Sequence, residues 1–163
     1  QARFEAVTPD FKLALEGDAN GAGFLDVIEQ YGSTPSGNLA KHYAGICYLR
    51  TGDLANAAAY LAKYKPVKGI PGAIVNAQNY GLQGDVAVEQ QNYAQAVSFY
   101  KKAVEAADNN WTAPMYLRKA GRAEQAQGNN AAAAALYEKI LYTYPASVEA
   151  REAEKLLGSV NNK

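Results

Sequence analysis

One histidine and one cysteine, His42 and Cys47, are the first places to look for chemistry in this chain. They lie five residues apart in a helical pattern, roughly 140° apart around its axis, so they can neither share a metal nor act locally as nucleophile and base. Cys47 reads as a small buried hydrophobe, and a lone cysteine has no intramolecular disulfide partner. Carboxylates pair as Asp26 with Glu29 and Glu149 with Glu152, at the i,i+3 spacing of an amphipathic helix. That spacing predicts a solvated face, not an acid–base couple. The glycines of 17–23 follow a helical pattern instead of a strand, and the Lys-Ser/Thr ending of a phosphate loop is missing. Metal-ligand spacing is absent as well. Arg118 and Arg122 stand one turn apart on one helix face, where two guanidinium groups would hold an acidic or carboxylate-bearing peptide. Solvation, or pairing with Asp85 and Glu89, is the alternative for both arginines.

Helix pairs must position these groups, and a recurring segment defines them. Gly45 is followed by Gly52-Asp53, Ala57 and Leu61; Gly84 by Gln91-Asn92, Ala96 and Tyr100; Gly121 by Gly128-Asn129, Ala133 and Tyr137. The interval is 35 residues from Gly17 to Gly52, 39 from Gly52 to Gln91 and 37 from Gln91 to Gly128. Apolar periodicity predicts helices over 38–51, 54–64, 73–90, 93–107, 113–127, 130–144 and 147–157, with a shorter pair over 10–16 and 24–31. Residues 33–37 read as a linker, 65–72 as a turn-rich connector with two prolines, and 158–163 as a frayed tail. A single domain over 1–163 is expected. It comprises a degenerate helical pair (1–37), repeat 1 with its connector (38–72), repeat 2 (73–112), repeat 3 (113–145) and a capping helix with its tail (146–163).

A glycine inside a helix costs about 1 kcal/mol relative to alanine, so three at equivalent positions imply a close crossing. Gly45, Gly84 and Gly121 are expected to meet Ala57, Ala96 and Ala133, with Leu61, Tyr100 and Tyr137 filling the space as the helices diverge. The last helix is expected to cap the stack, with Glu149, Arg151, Glu152, Glu154 and Lys155 outside and Val148, Ala153, Leu156 and Leu157 inside.

Composition supports closely packed helices, with 32 alanines and 12 tyrosines in 163 residues. Sixteen basic and sixteen acidic residues leave no net charge, which removes the long-range field that draws proteins to nucleic acid. No apolar run of about 18 residues exists, so direct membrane insertion of this segment is not expected. The chain begins at Gln1 without a methionine, which fits removal of a leading signal sequence or membrane anchor.

These residues resemble the tetratricopeptide repeat family, whose pattern runs from a large residue through Leu-Gly, an aromatic, a Gly-Asp turn, Ala, an aromatic, Ala and Pro. The third copy carries Leu117, Ala120-Gly121, Gly128-Asn129, Ala133, Tyr137 and Pro145. The first carries Ala44-Gly45, Tyr48, Gly52-Asp53, Ala57 and Leu61. The second carries Tyr80, Gly84, Tyr93, Ala96, Tyr100 and Ala103, with Gln91-Asn92 in place of Gly-Asp. The resemblance implies an all-α solenoid, a right-handed superhelix of antiparallel helix pairs with a C-terminal capping helix, whose first helices line a concave groove. It places His42, Ile46, Leu49 and Arg50, then Gly81, Asp85 and Glu89, then Met115, Arg118, Arg122 and Gln125 along that groove. The Lys and Asn of the family's carboxylate clamp are replaced by His42 and Ile46.

The function implied is a non-enzymatic scaffold without a cofactor, holding a protein, peptide or helix in its groove. The alternative is a homo-oligomeric or fixed-subunit module using an apolar edge near Tyr31 or Ile70-Pro71. Residues 37–45 and 136–145 also resemble a bacterial group of short, membrane-anchored, periplasm-facing proteins, some linked to the Sec translocon or to envelope assembly. That likeness implies a place in the cell envelope; otherwise the chain is expected in the cytoplasm.

Overall fold

The computed structural model describes residues 10–161. The start of the degenerate pair (1–9) and the last two residues of the expected tail lie outside the described residues. The chain forms two compact units, one ending at Tyr64 and one starting at Lys65, the boundary falling at the connector.

In the N-terminal unit, α1 (Phe11–Glu16), α2 (Phe24–Tyr31), α3 (Pro35–Arg50) and α4 (Leu54–Lys63) surround Leu15, Ala44 and Cys47. Between α1 and α2 the chain makes a small antiparallel hairpin, β1 (Gly17–Asp18) with β2 (Gly21–Ala22), where the sequence predicts only a break. Its turn is closed by the Asp18 carboxylate, which accepts the N–H groups of Asn20 at 2.8 Å and Gly21 at 3.1 Å. The expected linker 33–37 is mostly helix. Thr34 caps α3 by accepting the Gly37 N–H at 3.1 Å, and Pro35 occupies the first helical turn, where its missing N–H costs nothing.

The C-terminal unit consists of α5 (Ile70–Glu89), α6 (Tyr93–Ala106), α7 (Thr112–Ala126), α8 (Asn130–Thr143) and α9 (Val148–Asn161). The second proline of the connector misleads as Pro35 does: Pro71 lies in the first turn of α5, while Pro66 stays in the non-helical stretch 65–69. The tail from Gly158 is helical through Asn161, and the Ser159 hydroxyl donates to the Leu156 carbonyl at 2.7 Å. Alanines and tyrosines fill the core, with Ala77, Ala96, Ala133, Ala153 and Tyr137 fully enclosed.

The close crossings are real, but their partners differ from those expected. A Cβ on Gly45 would stand 2.6 Å from Leu61 Cγ, one on Gly84 2.5 Å from Tyr100 Cε1, and one on Gly121 2.7 Å from Tyr137 Cζ. Each glycine is thus the seat of the bulky residue itself, not of the alanine one turn before it. Burying a tyrosine edge-on over bare backbone gains more apolar contact than an alanine would, and this outweighs the glycine's helical cost.

The repeat turns are equivalent too. Gly52, Gln91 and Gly128 all take left-handed backbone, with φ of 83°, 59° and 80°. Asp53 and Asn92 then cap the following helices, accepting the Asn56 N–H at 3.0 Å and the Gln95 N–H at 3.3 Å. Gln91 is the one non-glycine with positive φ among the described residues, and an L side chain pays roughly 1 kcal/mol there. Gln91→Gly is therefore expected to stabilise the protein by roughly 0.5 kcal/mol after the glycine's chain-entropy cost. Urea denaturation would register a higher midpoint; an unchanged or lower one would mean that the strain is absent.

Candidate functional site

In the C-terminal unit α5, α7 and α9 run parallel, because the residues that join them ascend together on both partners. Between α5 and α7, Gly81 receives the Tyr116 ring, and Asp85 accepts Lys119 Nζ at 2.7 and 2.9 Å. Between α7 and α9, Arg118 Nη1 donates to Glu152 Oε2 at 2.6 Å, Arg122 Nη2 donates to Oε1 of the same carboxylate, and Gln125 reaches Ser159 Oγ at 3.5 Å. The side-chain pairs Asp85–Lys119, Arg118–Glu152 and Gln125–Ser159 are each separated by 34 residues.

Tyrosine hydroxyls brace this polar ladder from the second helices. Tyr100 donates to Asp85 at 2.7 Å and Tyr137 to Gln125 at 2.6 Å. Burial pushes Tyr116 and Tyr137 up to about 12. Burial first, and then the hydrogen bond to Asp85, raises Tyr100 further. All three rings stay protonated near neutral pH, so Tyr100 and Tyr137 act as donors.

The eleven predicted groove residues divide between the two units. On α3, Ile46 and Leu49 are half-buried and Arg50 is exposed. His42 is neither groove-lining nor a surface histidine: it is 0 % exposed, with the rings of Tyr43 and Tyr64 at 5.4 and 5.7 Å. α3 is buried on more than one side: Ala40, Ala44 and Cys47 are enclosed on one face, and His42 is enclosed on the other. Cys47 is buried as expected, and burial raises its thiol pKa.

In the C-terminal unit Asp85, Arg118, Arg122 and Gln125 share the ladder, Met115 packs half-buried against the core, and Glu89 is exposed. Gly81 is closed off by Tyr116 and cannot line an open groove. The arginines pair with Glu152, not with Asp85 or Glu89, so Glu152 leaves the solvated face assigned to it. Two cations on α7 facing the same point of α9 outweigh its hydration. Sequence reasoning missed Lys119, Glu152 and Ser159; opposite charges one repeat apart, Asp85 with Lys119 and Arg118 with Glu152, were the available signal.

Beside the ladder, a pocket of 290 Å³ opens between α5, α6 and α7. Val88, Tyr93, Tyr100, Ala123 and Ala126 form its walls, and Lys119 and Arg122 its lip. Among the described residues no group of three or more His, Cys, Asp or Glu could hold a metal ion, and no helix is long and apolar enough to cross a membrane.

Residues 77–110 and 116–147 each match the tetratricopeptide repeat family. This is a tetratricopeptide repeat protein. The first match covers most of α5 and all of α6, and the second most of α7 and all of α8. No curated protein matches the chain significantly. In this tetratricopeptide repeat protein the pair α3–α4 lies outside both matched ranges but keeps the same devices: a bare glycine under Leu61, left-handed Gly52 and the Asp53 cap. Repeats of this kind serve in general as protein–protein interaction scaffolds.

Proposed function

We propose that this protein is a non-catalytic scaffold that holds a peptide or helix in the groove lined by α5 and α7, as part of envelope or secretion assembly. The pocket under Lys119 and Arg122 carries the reading. Its walls suit one bulky apolar side chain, and its lip suits an acidic group beside that side chain. The arginine pair holds Glu152, so a ligand meets the outer, 56 % exposed Arg122 and the free edge of Lys119, not an empty two-arginine clamp. The envelope setting rests on the likeness of 37–45 and 136–145 to membrane-anchored, periplasm-facing bacterial proteins.

The test is a photo-crosslinking residue placed at the exposed pocket rim, Ala126, in the full-length protein in its own cells. Glu105, exposed on α6 and absent from the pocket lining, serves as the control position. A discrete adduct from Ala126, lost when Val88→Trp at the half-buried pocket wall fills the pocket, is the expected result. If both positions gave the same adducts, the groove assignment would fail. If the adduct were specific but its partner cytoplasmic, only the envelope setting would fall.

A further inference from the structure

We propose that one end of the C-terminal unit, the end bearing the N-termini of α5, α7 and α9, docks peripherally on the lipid–water interface of a membrane. Ile70, the first residue of α5, is 85 % exposed; Trp111, just before α7, 84 %; and Val148, the first residue of α9, expected inside the cap but lying ahead of the packed part of its first turn, 87 %. Because these three helices are parallel, the three side chains lie at the same end of the unit. α8 runs back toward the start of α9, and Tyr142 in its last turn adds a fourth tip at 84 % exposure. Val67 and Ile74, each about half exposed, flank Ile70.

The turns that carry the tips pair most of their peptide groups internally, while the buried Ser147 hydroxyl has no hydrogen-bond partner among the described residues. Asn76 accepts the Val67 N–H at 3.0 Å and donates to the Val67 carbonyl at 2.9 Å. The Asn109 side chain accepts the N–H groups of Trp111 and Thr112, both at 2.9 Å, and donates to the Ala107 carbonyl at 3.1 Å. The Ser147 N–H is taken by the Tyr144 carbonyl at 2.9 Å. A turn that enters a water-poor layer gains from such pairing, because an unpaired peptide group is costly there.

The chemistry favours lipid over a protein partner. The tips sit on separate elements, Ile70 with Val67 and Ile74 beside it, whereas a protein interface is built around a single packed, contiguous centre. A fluid layer moulds itself around separate side chains, and tryptophan and tyrosine settle at headgroup depth. By position along the helices, the charges near this end are Lys65, Lys68, Lys101, Lys102, Lys139 and Arg151 against Glu105, Asp108, Glu138 and Glu149. Six cations against four carboxylates leave no net repulsion from anionic lipid, and the four tips themselves are apolar or aromatic. This proposal uses none of the pocket residues and stands independently of the groove.

Trp111 is the single tryptophan, so its emission reports directly on this end. Vesicles of phosphatidylcholine, alone or mixed with phosphatidylglycerol, are expected to shift that emission to the blue. Lipids brominated on the acyl chain are expected to quench it. The double variant Ile70→Ser with Val148→Ser should keep its circular dichroism and lose roughly tenfold or more in vesicle partitioning. Unshifted emission with both vesicle types would overturn the proposal. So would a shift that grows with protein concentration in the absence of lipid, since a second copy would then cover this end. Binding confined to anionic vesicles and unaffected by the double variant would be mere electrostatic adsorption, and would overturn it equally.

Discussion

Gly121→Val is expected to lower the stability of the C-terminal unit by roughly 3 kcal/mol or more, through overpacking against an aromatic ring that has nowhere to go. A side chain at position 121 would press on Tyr137 Cε1, with Cζ only 2.7 Å from its first carbon. Tyr137 is 0 % exposed, and its hydroxyl is held by Gln125 at 2.6 Å, so the ring is fixed at both ends. The alternative to a clash is to move α8 away from α7, which opens a gap along their whole contact. Alanine is expected to be less harmful, because its helical propensity returns about 1 kcal/mol.

The sign reverses at Gly158. A Cβ there meets nothing within 4 Å, and the residue sits in the interior of α9. Gly158→Ala is accordingly expected to stabilise by up to about 1 kcal/mol. Denaturant titrations of the two variants against the wild type decide the matter. A wild-type midpoint for Gly121→Val would show that Tyr137 is not pinned.

The second large effect is electrostatic. Arg118→Glu combined with Arg122→Glu brings three carboxylates together at Glu152, and is expected to weaken the attachment of α9 by roughly 2 kcal/mol. Most of this comes from Arg118, whose side chain is 23 % exposed; the 56 % exposed Arg122 is screened and adds only a few tenths of a kcal/mol. Adding Glu152→Arg to the double variant restores opposite charges and should recover most of the loss. Hydrogen exchange of the α9 amides reads the result, with smaller differences expected at high salt. Failure of the triple variant to recover protection would mean that the carboxylate contributes nothing to holding α9. The variant pair that is the natural probe of ligand capture thus also loosens the fold, which is why a pocket-filling residue at the half-buried Val88 serves the functional test better.

The helix pairs were legible because their signals are local: a bare glycine, a Gly-Asp or Asn turn, and an aromatic at fixed intervals. Proline was misread at Pro35 and Pro71, where a residue that breaks a helix interior instead opens a helix. The hairpin at 17–22 depends on one aspartate folding back onto two amides, a three-residue event that periodicity does not register. The site was less legible than the fold. His42 and Glu152 both look solvent-facing on their own helices. The rings of Tyr43 and Tyr64 around one, and the arginines on α7 facing the other, decide their true environment. Those partners are supplied only once elements pack.

The polar ladder has a further consequence, for how such a protein can grow. Its rungs alternate acid, base, acid: Asp85 on α5, then Lys119, Arg118 and Arg122 on α7, then Glu152 on α9. Duplicating the α7–α8 unit in tandem would set α7 against its own copy, with cation facing cation where a carboxylate is needed. Apolar packing alone would tolerate the extra unit, but the alternation penalises it. Repeat number in this half of the chain is therefore written in charge, and an insertion that lengthens the array must bring its own acidic face.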